Sequence, residues 1–136
     1  MLAGHPLIVH TIRASLQSFV QRTVVSTDDE DIAAISRQHG AEVPFLRPKE
    51  LASETATSLS AIQHTLGWLK EHEGYWPDVV CYMCSTCPFR TAKAIDTTIE
   101  MLIREPELDS VITIRQVVDH PYFGVPFAGR AWHAHE

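Results

Sequence analysis

No segment of this 136-residue chain approaches the roughly eighteen continuous apolar residues that a bilayer crossing needs. Its N-terminus also lacks the charged-then-apolar pattern of a secretory leader. Basic charge is scarce. Lys and Arg number 11 against 17 Asp and Glu, a formal net charge of −6, which argues against bulk nucleic-acid binding, because that needs a basic face to displace counter-ions. A small anionic ligand stays open, since a few local arginines and backbone N–H groups suffice for one. Cysteine is sparse and odd in number: the 3 residues sit together at Cys81, Cys84 and Cys87, a poor disulfide framework. The expected location is therefore cytoplasmic. Neither a G-x-x-x-x-G-K nor a G-x-G-x-x-G phosphate loop occurs, and no Ser–His–Asp order or Cys–His pair stands out.

What is present is ordinary for a soluble globular protein: 45% hydrophobic and 21% charged residues, in a length that suits one domain with a real core. Helical and strand-like patterns alternate. Residues 6–18 place Leu7, Ile8, Ile12 and Leu16 at helical spacing behind Pro6, which suits a first turn. Residues 23–26 read as a short β-branched strand. A helix over 28–39 is expected to take its cap from Ser26 or Thr27, to turn Ile32, Ala33 and Ile35 inward, and to stop at Gly40. Residues 42–45 read as an edge strand, because Pro44 cannot donate to a central ladder. After a polar stretch, helices are expected over 59–73 and 92–104, strands over 78–83 and 110–117. This β–α alternation predicts an α/β fold: a mostly parallel sheet with helices on both faces. Beyond His120 neither period holds, so 123–136 reads as an irregular tail after a domain covering 1–122.

The most informative stretch is Met83-Cys84-Ser85-Thr86-Cys87-Pro88-Phe89-Arg90-Thr91, after the apolar run of 79–82. A strand stops there in small hydroxyl and thiol residues before a helix begins, and in open α/β sheets ligands sit outside the carboxyl ends of strands. The C-x2-C-x2-C spacing suggests an iron–sulfur or zinc site. Strand alternation opposes it, turning Cys84 away from the face that holds Cys81 and Cys87, so the cysteines read as buried small hydrophobes. The acidic run Asp28–Asp31 could hold a cation, but a helix N-terminal charge cap explains it with less. His133 and His135 have the spacing of a metal pair, though a solvated tail accounts for them, and His120 after a strand end is a candidate ligand contact. Arg47-Pro48 opens a loop that ends in Thr55, Thr57 and Ser58 at a helix start, which resembles an anion- or ribose-binding surface. Its plainer reading is a solvated loop with Ser58 as N-cap.

Several segments taken together resemble the acylneuraminate cytidylyltransferases, the CMP-sialic acid synthetases. They are Gly4-His5-Pro6-Leu7-Ile8, Val24-Val25-Ser26-Thr27-Asp28-Asp29-Glu30, Gly40-Ala41-Glu42-Val43-Pro44-Phe45-Leu46-Arg47-Pro48, Glu50 through Ser58, and Thr86-Cys87-Pro88-Phe89-Arg90-Thr91. They run in the family's order from Gly4 to about Tyr122. The resemblance implies a Rossmann-like nucleotide-diphospho-sugar transferase sheet and the transfer of CMP from CTP to a sialic acid-like nonulosonic acid, with pyrophosphate released and Mg²⁺ as cofactor. It places Arg47, Ser58, Cys84 and Thr86 at the nucleotide and Arg90 toward the sugar, where His120 is the further candidate contact from its place after a strand end, and it allows a homodimer. No membrane or nucleic-acid partner is implied.

The chain departs from the family pattern in three ways. It starts after the family's first strand and its glycine-rich basic loop, and ends before the region of the sugar contacts and metal-binding aspartates. Cys84 stands where the family usually has glutamine. Ser85 and Cys87 replace the usual proline and serine. An incomplete sheet is expected, with unpaired backbone at its centre and exposed apolar surface. The rival readings are a non-catalytic remnant or nucleotide-binding module of the same fold, and another sugar nucleotidyltransferase such as one for 3-deoxy-octulosonate.

Overall fold

Helices carry most of the regular structure in the computed structural model, which describes residues 1–114 except 54. They are α1 (Leu7–Leu16), α2 (Glu30–Gln38), a 3-10 turn (Lys49–Ala52), α3 (Ser58–Glu73) and α4 (Ala92–Arg104). Each matches a helix expected from periodicity, except that the short 3-10 turn interrupts the loop before α3. Ahead of α1, Leu2 and His5 exchange both backbone bonds at 2.7 and 3.0 Å. Ala3 and Gly4 between them both take positive φ, 46° and 78°, as a mirror-image two-residue turn requires.

The helix starts are fixed by local caps. Asp29, not Ser26 or Thr27, caps α2: its carboxylate accepts from the Ile32 N–H at 2.9 Å. Thr27 is buried and holds the Asp29 amide instead, at 3.2 Å, which moves the cap two residues along. Thr57 caps α3 by accepting from the Ser60 N–H at 3.1 Å, and Thr91 caps α4 by accepting from Ala94 at 3.2 Å. Gly40 follows α2 at φ 92° and Gly74 ends α3 at φ 63°, conformations that a side chain would strain.

Helix α1 packs against both α2 and α4. Val9 and Ile12 of α1 and Ala33 of α2 are buried, and Ala14 forms one cluster with Ile95 and Ile99 of α4. On α2 the buried line is Ala33 and Ser36, while Ile32, expected to face inward, is exposed.

The expected sheet is not formed among the described residues. It is reduced to one parallel bridge between Val24 and Glu42, in which Val25 donates to the Glu42 carbonyl and Glu42 to that of Thr23, each at 2.8 Å. Residues 79–83 keep strand alternation: Val79, Cys81 and Met83 pack on the Ala14–Ile95–Ile99 cluster, whereas Val80 and Tyr82 are 48% and 56% exposed. No main-chain bond joins 78–83 to another described segment.

The physical reason is separation. A cavity of about 900 Å³ is lined by both 19–26 and 75–85. Thr23 and Val25 direct their groups to Glu42, so Val24 and Ser26 turn theirs to the opposite edge, as alternation requires. Layering nevertheless persists. Segment 79–83 sets one face on α1 and α4, and from the other the Tyr82 hydroxyl reaches Ser58 at the start of α3. Apolar side chains are left uncovered, among them Leu59, Phe89 and Ile103. The expected strand over 110–117 shows no ladder as far as residue 114, where Ile112 and Ile114 are 79% and 84% exposed. Its remaining residues, and His120, His133, His135 and the tail 123–136, lie outside the described residues.

Candidate functional site

Arg47, Ser58 and Cys84 all line the 900 Å³ cavity, so three of the residues singled out from sequence meet on one surface. Arg47 is brought there by the segment leaving the Val24–Glu42 bridge, where its N–H donates to the Thr27 carbonyl at 2.8 Å. Its guanidinium lies 3.5 Å from Asp28 and is mostly covered, and its Nε is buried without a partner among the described residues. Because Thr57 takes the cap of α3, the Ser58 hydroxyl is released from that role. It accepts from the Tyr82 hydroxyl at 3.1 Å. The hydroxyls of Thr11 and Ser26, also on the cavity wall, are likewise buried and unpartnered. Buried polar atoms left without partners mark where a ligand or water completes the bonding.

The loop after 79–83 closes as a turn, the Cys87 N–H donating to the Cys84 carbonyl at 3.2 Å. Cys84 Sγ lies 3.1 Å from the Thr86 hydroxyl. Its thiol is pushed below the usual cysteine range, first by that hydroxyl, then by the Thr86 N–H, with smaller help from Tyr82 and the Arg90 charge. Burial pushes the Cys81 thiol the other way. Thr86 and Arg90 are not on the cavity wall, and Thr86 reaches it only through Cys84. Arg90 is half-buried, with Nη1 unpartnered among the described residues. Cys84 and Cys87 are exposed rather than buried, which corrects the reading of all three cysteines as buried hydrophobes: the chain turns at 85–86, so strand alternation ends before Cys87.

Two cavity residues were missed in the sequence. Tyr82 could have been found only from its outward phase in the strand pattern. Arg22 donates to Glu42 from the Nε–Nη2 edge of its guanidinium, reaches Glu73 through Nη1 at 2.6 Å and lies 4.7 Å above the Tyr75 ring.

A metal is a poor match to these residues. Among those described, no group of three or more His, Cys, Asp or Glu could hold an ion, and Asp78 is the cavity's sole carboxylate beside Arg22 and Arg47. Mg²⁺ demands an oxygen-rich octahedron, so the described residues do not fit the cofactor that the resemblance implies. The Asp28–Asp31 run acts as the simpler reading has it, with Asp29 as cap and Glu30 and Asp31 in the first turn of α2.

Arg47, several hydroxyls and the turn after 79–83 thus surround one cavity of the size that holds a small-molecule ligand. The Cytidylyltransferase family matches residues 1–123, and the chain belongs to that family. It is 38% identical over 102 residues to a CMP-N,N'-diacetyllegionaminic acid synthase of Legionella pneumophila, covering 74% of this chain and 44% of that protein. It is 31% identical over 115 residues to an N-acylneuraminate cytidylyltransferase of Escherichia coli, covering 84% of this chain and 26% of that one. To a pseudaminic acid cytidylyltransferase of Campylobacter jejuni it is 31% identical over 102 residues, 74% of this chain and 44% of that protein. The chain thus spans less than half the length of each of these relatives.

Proposed function

We propose that this chain binds CTP in the 900 Å³ cavity and serves the transfer of CMP to a sialic acid-like nonulosonic acid, with pyrophosphate released. The observation that carries this reading is the meeting of Arg47, Ser58 and Cys84 on one wall. In the reaction, a sugar hydroxyl attacks the α-phosphorus, a new P–O bond forms, and the bond to pyrophosphate breaks. The protein's part in such chemistry is placement and charge stabilisation. Arg47 supplies a half-buried cation whose Nε has no partner among the described residues, and Ser58 a hydroxyl that can turn from Tyr82 to a ribose or phosphate oxygen. Cys84 replaces the amide that the family usually presents and offers at most one weak donor. Thr86 orients the Cys84 sulfur, and Arg90 is assigned to the sugar by family likeness, with His120, outside the described residues, as the further candidate contact. The relatives' names support the acceptor class, since they act on legionaminic, sialic and pseudaminic acids.

A second reading, a nucleotide-binding module without turnover, is favoured by the absence of any metal-holding cluster among the described residues. The segment from Arg47 to Ser58 speaks against a 3-deoxy-octulosonate enzyme. The experiment is thermal unfolding with CTP, UTP, ATP and GTP, followed by pyrophosphate release from CTP and Mg²⁺ with a panel of nonulosonic acids. At a hundredfold excess over Kd, a ligand stabilises the folded state by about 2.7 kcal/mol. Selective stabilisation by CTP with acid-dependent pyrophosphate release is the expected result. Stabilisation without release selects the binding module, and no discrimination among the nucleotides removes the cavity as a cytidine site.

A further inference from the structure

The segment Cys84-Ser85-Thr86-Cys87 combines features that the nucleotide reading does not use. Both thiols are exposed. The turn is closed by the bond from the Cys87 N–H to the Cys84 carbonyl, 3.2 Å, and a turn so closed keeps its first and fourth Cα atoms within about 7 Å. Disulfides span Cα separations of about 4.4–6.8 Å, so the turn brings the two residues close to the span that a bridge needs. The thiols are also chemically unequal. Thr86, Tyr82 and Arg90 favour the Cys84 thiolate, the form that reacts with oxidants, whereas Cys81 is half-buried and its thiol is held protonated by burial. Two sulfurs with no third ligand among the described residues do not make a closed tetrahedral zinc site.

We propose that Cys84 and Cys87 are a redox-active dithiol that closes to a disulfide across the turn, with Cys84 as attacking and Cys87 as resolving sulfur. With a peroxide as oxidant, the Cys84 thiolate attacks one oxygen and the O–O bond breaks. Cys84 becomes a sulfenic acid and hydroxide leaves. The Cys87 thiol then attacks the Cys84 sulfur, its proton leaves with the departing oxygen as water, and the S–S bond forms. With a small disulfide as oxidant, Cys84 first forms the mixed disulfide and releases one thiolate. Cys87 displaces the second. Closure takes the Cys84 sulfur away from its present bond with the Thr86 hydroxyl and so changes the cavity wall.

The test needs no nucleotide and is independent of the proposed function. The full chain is treated with hydrogen peroxide or oxidised glutathione at modest excess, then analysed by thiol titration in denaturant, intact mass and peptide mapping. Titratable thiols should fall from 3 to a single one, with a loss of about 2 Da for the two hydrogens removed and a peptide joining Cys84 to Cys87. Cys81→Ser should lose the same mass. Cys87→Ser should instead hold a glutathione adduct on Cys84, and a bidentate arsenical should protect the wild-type pair but not this variant. A bridge that includes Cys81, a wild-type glutathione adduct that does not resolve, or thiols unchanged after treatment would each overturn the proposal.

Discussion

Arg22 joins three segments distant in sequence: its guanidinium bonds Glu42 beside the parallel bridge and Glu73 at the end of α3, and lies over Tyr75. Arg22→Ala should therefore lower unfolding stability by about 1–2 kcal/mol, the range of a charge-assisted bond partly open to solvent, read from the urea midpoint. Its partner sets a pH dependence. Hydrogen bonds from Arg22 hold the Glu42 carboxyl below its ordinary value of 4.5. A carboxylate depressed in the folded state stabilises fully above its unfolded value and loses that contribution as pH falls through the folded one. Wild type should accordingly lose more stability between pH 6 and pH 3 than Glu42→Gln; parallel acid profiles would remove this pair from the account. At the cavity, Arg47→Ala should weaken CTP binding roughly tenfold or more, the loss of about 1.5–3 kcal/mol for a bond between charged groups, by calorimetric titration. Unchanged affinity would take Arg47 out of the site. Arg47 was legible from its loop and from family likeness. Arg22 was not, because its partners lie 20 and 51 residues away and no local pattern announces them.

Helices were legible because their hydrogen bonds and caps lie within a few residues of one another. Thr91 and the 92–104 period suffice to set α4, and Thr91→Ala should cost about 1 kcal/mol while Thr91→Ser costs little, since a Ser hydroxyl caps as well. Equal losses in chemical denaturation for both would place the effect in the Thr91 methyl group instead. Where two caps compete, sequence alone does not decide. Thr27 and Asp29 are both good caps, and the burial of Thr27, a tertiary fact, gives α2 to Asp29. Likewise, α2 has only nine residues, too few for Ile32, Ala33 and Ile35 to dictate which of them faces inward. Strands fared worse for the same reason. Val24 needs Glu42 across the chain, and residues 78–83 find no main-chain partner among those described, although their alternation is intact. Pairing is non-local, so a correct strand pattern does not imply a ladder.

At the scale of the whole molecule, stability should be uneven in a way that this geometry specifies. The most deeply buried side chains lie where α1 meets α2 and α4, with Val9, Ile12, Ala33 and Ile95 at 0–1% exposure. Segment 79–83 is anchored to that layer only by Val79, Cys81 and Met83, and its backbone borders an open cavity. An amide protected by a helix exchanges only when the helix opens, whereas an amide with no acceptor exchanges near its intrinsic rate even in a folded protein. Hydrogen exchange followed by mass spectrometry should thus show residues 79–83 labelling within roughly tenfold of an unfolded peptide, while the α1 amides from Thr11 to Leu16 wait for larger openings. Saturating CTP should slow exchange mainly at residues bordering the cavity, since a ligand stabilises the conformation it occupies. If 79–83 were instead as slow as α1 without ligand, those amides would be bonded in a ladder, and the cavity would not be the open space between two extended segments from which the nucleotide site is argued.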